Sequence, residues 1–104
     1  MHRKAFKMKL KPGFRDEYER RHSQIWPELQ TLLHQAGIRD YTIFLDPETD
    51  TLFAFQKTIS NITSQNLGLH EVVQRWWAYM ADIMETNADN SPVSVPLQEV
   101  FHLD

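Results

Sequence analysis

Tyr18, His22 and Trp26 recur every fourth residue, a spacing that lines them up on one face of a helix if the helix runs that far. Each has an apolar body and a hydrogen-bonding tip, a combination suited to a cavity wall. Imidazole, with an ordinary pKa of about 6.5, accepts or delivers a proton near neutral pH. The same spacing also fits two core rings and a satisfied helix histidine, and spacing alone favours that packing. A second cluster, Trp76-Trp77-Ala78-Tyr79, sets two tryptophans about 100° apart on a helix, so they do not share one core slot. One can pack on a sheet while the other flanks a cavity, where a flat indole suits the C–H-rich face of a small molecule such as a sugar. Core filling, or burial in a subunit interface, accounts for the pair equally well.

Other chemistries are poorly served. The five histidines, His2, His22, His34, His70 and His102, form no His-x-x-x-His, and Glu19-Arg20-Arg21-His22 is a single Glu-x-x-His. A carboxylate-bridged two-metal bundle needs two such motifs, so no metal site is expected. With no cysteine, and no Gly-x-Ser-x-Gly, a nucleophile is missing. Three glycines make no phosphate-cradling loop. Proton transfer by His, Tyr or a carboxylate remains. Eleven Lys and Arg against fourteen Asp and Glu leave a net charge of -3, which argues against a nucleic-acid partner. Lysines interrupt the start of the chain where a signal peptide needs an apolar run, and no stretch approaches the ~20 apolar residues of a membrane span. A cytoplasmic protein is the expectation.

The elements that must hold these residues follow from periodicity. Phe6, Met8 and Leu10 alternate with Lys7 and Lys9 as in a strand wet on one face. After Pro12-Gly13, helical spacing runs from Phe14 to about Gly37, with a kink or restart expected at Pro27 and an end at Gly37. Asp16 with Arg20 and Glu17 with Arg21 read as surface ion pairs along that helix. Tyr41–Leu45 and Thr51–Phe55 flank the turn-forming Asp46-Pro47-Glu48-Thr49-Asp50, which predicts a hairpin. A less regular stretch, Ser60–Gly68, precedes a helix from about Leu69 to Met84, and Leu97–His102 alternates weakly as a last strand. Strand, helix, strand, strand, helix, strand is the split βαβ order, a single α+β domain over residues 1–104 with an antiparallel four-stranded sheet and helices on one face. The other sheet face also looks apolar and calls for cover, most simply by a second copy in a two-fold dimer.

Tyr18-Glu19-Arg20-Arg21-His22, Ile25-Trp26-Pro27-Glu28-Leu29, Arg75-Trp76-Trp77-Ala78-Tyr79-Met80, Asn90-Ser91-Pro92-Val93 and Leu97-Gln98-Glu99-Val100-Phe101 together resemble the L-rhamnose mutarotase family. The stretch from about Gln56 to Leu69 carries no block of that pattern, and Ala88 stands where it has proline. The resemblance implies a ferredoxin-like homodimer, a dimeric α+β barrel, that equilibrates α- and β-L-rhamnopyranose in the cytoplasm without metal or organic cofactor. By position His22 corresponds to the family's general acid, and Tyr18, Tyr41, Trp76 and Trp77 to its sugar-binding residues. Opening a hemiacetal needs one proton removed from the anomeric hydroxyl and one delivered to the ring oxygen, tasks imidazole suits. The second proton carrier is left open among a carboxylate, a tyrosine and water. A dimeric barrel that binds haem or an aromatic molecule without turnover, with His22 as axial ligand, is the rival reading.

Overall fold

A computed structural model describes residues 1–104. Strand β1 (His2–Lys9) leads to helix α1 (Arg15–Ser23), helix α2 (Pro27–Gln35), strand β2 (Ile38–Asp46), strand β3 (Thr51–Thr58), a short 3-10 helix (Ser64–Asn66), helix α3 (Glu71–Met80) and strand β4 (Val95–Pro96). The sheet is antiparallel in the order β2-β3-β1-β4, which is the split βαβ topology expected from the sequence.

The helical stretch after Gly13 is two helices. Pro27 opens α2 at its first turn, where its missing N–H costs nothing, and Trp26 before it is extended at φ -63°, ψ 131°. Gly37, at φ +85°, ends α2 in the left-handed region that glycine tolerates. Several elements differ in extent from the sequence expectation, among them β3, which runs to Thr58 rather than Phe55. Helix α3 stops at Met80 rather than Met84. Strand β2 begins three residues earlier than the β-branched run, at Ile38. The last strand is only Val95–Pro96, and Leu97–Asp104 carries no regular structure. Leu97 N–H still donates to the Ala5 carbonyl of β1, but beyond it Val100, Phe101 and Leu103 are largely exposed and no core of the single chain receives them.

One sheet face supports the core. Phe6 and Met8 of β1 and Leu52 and Ala54 of β3 are buried against Tyr18, Leu29, Val73, Trp76, Trp77 and Met80 from the helices. The opposite face carries Phe44 and Phe55, 60% and 46% exposed, with rings 5.9 Å apart in an edge contact. Apolar residues therefore line both faces, as the alternation in β3 predicts.

Strand β2 changes phase partway. Ile38 pairs with Thr58 and Arg39 with Lys57, but Thr42 pairs with Phe55, so Asp40 and Tyr41 together face the single residue Gln56. This is a β-bulge, and within it Asp40 takes a left-handed φ of +48°. Without the bulge Tyr41 would share the outer face with Arg39. With it, Tyr41, Ile43 and Leu45 all pack toward the core.

Candidate active site

Between the helices and the inner sheet face lies a cavity of about 1140 Å³, roomy by the standard of small-molecule sites. His22, Tyr18, Tyr41, Trp76 and Trp77 all line it, so the five residues singled out in the sequence converge on one space from three elements. Trp26 does not line it. Helix α1 ends at Ser23, one residue after His22, and the four-residue stripe is broken before Trp26. That indole instead meets Trp76 edge-on at 5.1 Å and stacks on Tyr79 at 5.6 Å, forming an outer aromatic layer behind the cavity wall.

The i,i+4 relation on α1 puts the Tyr18 and His22 rings face to face, 4.2 Å apart and 30° from parallel. Trp76 and the imidazole lie perpendicular, in an edge-to-face contact with centroids 5.4 Å apart at 88°. Imidazole Nδ1 lies 3.1 Å from the Tyr18 carbonyl oxygen. A carbonyl only accepts, so Nδ1 carries a hydrogen and donates it, which leaves Nε2 of the neutral ring with a free lone pair. Burial pushes the His22 pKa below its ordinary 6.5, against the opposing pull of that backbone hydrogen bond. The resting state is a neutral imidazole with Nε2 as a base.

Both phenols are held protonated. Burial raises the Tyr18 pKa, and the neighbouring Tyr41 raises it further. Tyr41 is raised by burial as well, opposed by the Ser64 hydroxyl and the Gln56 side chain next to it. The tryptophans do not divide into one structural and one cavity ring. Each is 8% exposed and each lines the cavity. Trp77 is fixed from behind by Gly68, where a Cβ would come within 2.8 Å of the indole.

Helix α1 is anchored by Arg21, which the sequence suggested was a surface partner of Glu17. Its side chain is 10% exposed. The guanidinium donates to Glu17 at 2.6 Å, to the Tyr79 carbonyl at 2.7 Å and to Asp82 at 2.8 Å, and lies over the Tyr79 ring. Glu17, bonded by both Arg20 and Arg21, has its pKa lowered to about 2. The expected Asp16–Arg20 pair does not form, because Arg20 also binds Glu17. Arg21 thus ties the helix bearing Tyr18 and His22 to the end of the helix bearing Trp76 and Trp77. No three His, Asp or Glu side chains gather into a set able to hold a metal ion.

The sequence pattern described as L-rhamnose mutarotase matches residues 3–103. The chain belongs to the L-rhamnose mutarotase family. Among its relatives, the L-rhamnose mutarotases of Bacteroides thetaiotaomicron and Phocaeicola vulgatus are 64% and 59% identical over 104 residues, covering 100% of each chain. The crystal structure of L-rhamnose mutarotase from Formosa agariphila superposes with a TM-score of 0.90 at 51% identity, again over 100% of both chains. The match to this mutarotase family extends to fold as well as sequence, and the α+β architecture is shared with that solved structure.

Sequence reasoning missed Arg21 as a buried anchor, and it missed Asp40, Gln56 and Ser64 altogether. A glutamine at an inward position of β3, in phase with Leu52 and Ala54, was the available signal.

Proposed function

We propose that this chain is an L-rhamnose mutarotase, an isomerase that interconverts the α and β anomers of L-rhamnopyranose through the open-chain aldehyde. Family membership over nearly the whole chain supports the reaction, and the neutral His22 with its Nε2 lone pair in an aromatic cavity supports the mechanism. The comparisons favour this enzyme over the ligand-binding barrel, whose His22 would be a haem ligand.

His22 Nε2 removes the proton from the anomeric O1–H. As the O1 electron pair forms the C1=O1 bond, the C1–O5 bond breaks and O5 takes a proton from a donor across the cavity. Rotation about C1–C2 presents the other aldehyde face. On reclosure O5 attacks C1 and surrenders its proton, while the imidazolium returns its own to O1. His22 is therefore base in opening and acid in closing, as microscopic reversibility requires. Trp76 and Trp77 offer flat walls to the C–H-rich sugar faces and Tyr18 offers its hydroxyl, while the mostly apolar lining keeps water from competing for the sugar.

The functional unit is a homodimer that buries the Phe44 and Phe55 face of the sheet, with the apolar tail residues Val100, Phe101 and Leu103 packed on the second copy. Their exposure in the single chain supports this reading. No helix is long and apolar enough to cross a membrane, and the cytoplasm is the proposed location. Saturation-transfer NMR on a panel of deoxy sugars tests the function. Acceleration of α/β exchange with L-rhamnose is expected, and exchange no faster than in buffer for every sugar would refute it.

A further inference from the structure

The hydrogen-bond chain behind Tyr41 has a fixed direction. The backbone N–H of Ser64 donates to Gln56 Oε1 at 3.1 Å. An amide N–H only donates, so this bond settles which end of the buried Gln56 carboxamide is oxygen. Its Nε2 must then be the end that faces Ser64 Oγ, to which it donates at 2.5 Å. Gln65 Nε2 donates to the same Oγ at 3.4 Å. A hydroxyl has two acceptor sites and one hydrogen. Gln56 takes one acceptor site of Ser64 in a short bond, and the hydroxyl hydrogen is left for another partner.

Ser64 and Gln56 both stand beside the Tyr41 phenol, which makes Tyr41 the partner within reach of that hydrogen. The bulge at Asp40 sets Tyr41 across from Gln56 and turns it onto the inner face, and Tyr41 and Ser64 line the same cavity. A phenol oxygen that accepts from Ser64 directs its own hydrogen elsewhere, and the cavity is what lies in front of it. His22 reaches that cavity from the helix side and Tyr41 from the sheet side.

We infer that Tyr41 is the second proton carrier opposite His22, donating to the ring oxygen as it is released, and that Ser64 and Gln56 are positioning residues that aim its hydrogen. The inference rests on the reading of His22 as the base. In opening, the Tyr41 O–H bond breaks toward O5, and the resulting phenolate keeps the hydrogen bond from Ser64 while the imidazolium balances its charge. In closing, O5 returns the proton to Tyr41. The burial that holds the Tyr41 phenol protonated agrees with a donor in the resting enzyme.

A double-mutant cycle on the full-length protein tests it, with L-rhamnose anomer exchange as readout. Tyr41→Phe is expected to lower kcat by roughly 10². Ser64→Ala is expected to lower kcat by about tenfold, the effect of about 1.4 kcal/mol in the barrier, with KM changed less than about threefold. In the Tyr41→Phe background Ser64→Ala should lower kcat no further, because a residue that acts through Tyr41 has nothing left to act on. Additive losses, or a Tyr41→Phe enzyme with near wild-type kcat, would overturn the inference. Should Tyr41→Phe fail to fold, Ser64→Ala alone decides: reduced kcat at unchanged thermal stability and KM supports it, and wild-type kcat overturns it. His22→Ala serves as the control. Lost exchange there with Tyr41→Phe unaffected removes only the role of Tyr41, whereas retained exchange in His22→Ala removes the reading beneath it.

Discussion

On the helix side of the cavity Tyr18 and His22 are placed by the regular period of α1, whereas on the sheet side Tyr41 owes its direction to a break in regularity at Asp40. The helix wall rests on a regular period and one long tie: residues four apart stack, and buried Arg21 binds the helix to Tyr79 and Asp82, 58 and 61 residues further along the chain. The sheet wall depends on irregular geometry: a bulge sets Tyr41 across from Gln56 on the next strand, and Gln56 holds Ser64, eight residues on, in the following 3-10 helix. A base can be positioned by repetition within one helix. A hydroxyl whose hydrogen must point one way needs a chain of groups whose polarity is fixed at its far end.

Substitutions separate the two walls. Trp77→Ala should have the largest structural effect, a loss of about 3–5 kcal/mol from an indole packed between cavity and Gly68, seen as a lower midpoint in urea. An unchanged midpoint would show that the ring is not part of the core. Arg21→Met should come next, at about 1–3 kcal/mol, since it strips the Tyr79 carbonyl and Asp82 of their donor while the stem still packs. Its loss belongs to the helix wall, so it should add independently to that of a sheet-wall variant. Asp40→Val should cost about 1–2 kcal/mol, because a β-branched side chain fits poorly at φ +48°. Calorimetry of the two single variants and the double variant checks both statements, and strong coupling between them would mean that the walls are one unit.

The smallest expected effect is the pH dependence of stability. The folded His22 pKa lies below 6.5 and the unfolded one near it, so the unfolded chain binds the proton first as pH falls. The His22 contribution is present in full above pH 6.5 and declines as pH drops from there toward the folded value. In His22→Ala that slope should flatten, as chemical denaturation at several pH values would reveal. An unchanged slope would place the pH dependence in other groups.

The fold and the helix wall were legible for the same physical reason: alternation and four-residue spacing record which face of an element is buried. Tyr18 with His22, the hairpin, the restart at Pro27 and the stop at Gly37 are all local signals. Tyr41, Trp76 and Trp77 came to the site through family resemblance, and the structure does gather them there. What was not legible leaves no periodic trace in the sequence. No spacing rule links Gln56 to Ser64, none marks Asp40 as the extra residue of a bulge, and Arg21 looks like any helix-surface arginine until Asp82 and the Tyr79 carbonyl are brought beside it. The weak strand pattern after Pro96 misled because alternation alone does not make a strand where the backbone pairing to β1 ends and no core lies beneath the residues.

The central claim is that a neutral His22 moves the proton at the anomeric oxygen. Anomer exchange of L-rhamnose by saturation-transfer NMR, compared between wild type and His22→Ala at matched folding and thermal transition, tests it most directly. A fall in kcat of roughly 10² to 10⁴ is expected, with much of the sugar affinity kept. Near-normal exchange in the folded variant would contradict it and leave His22 as a wall of the cavity and nothing more.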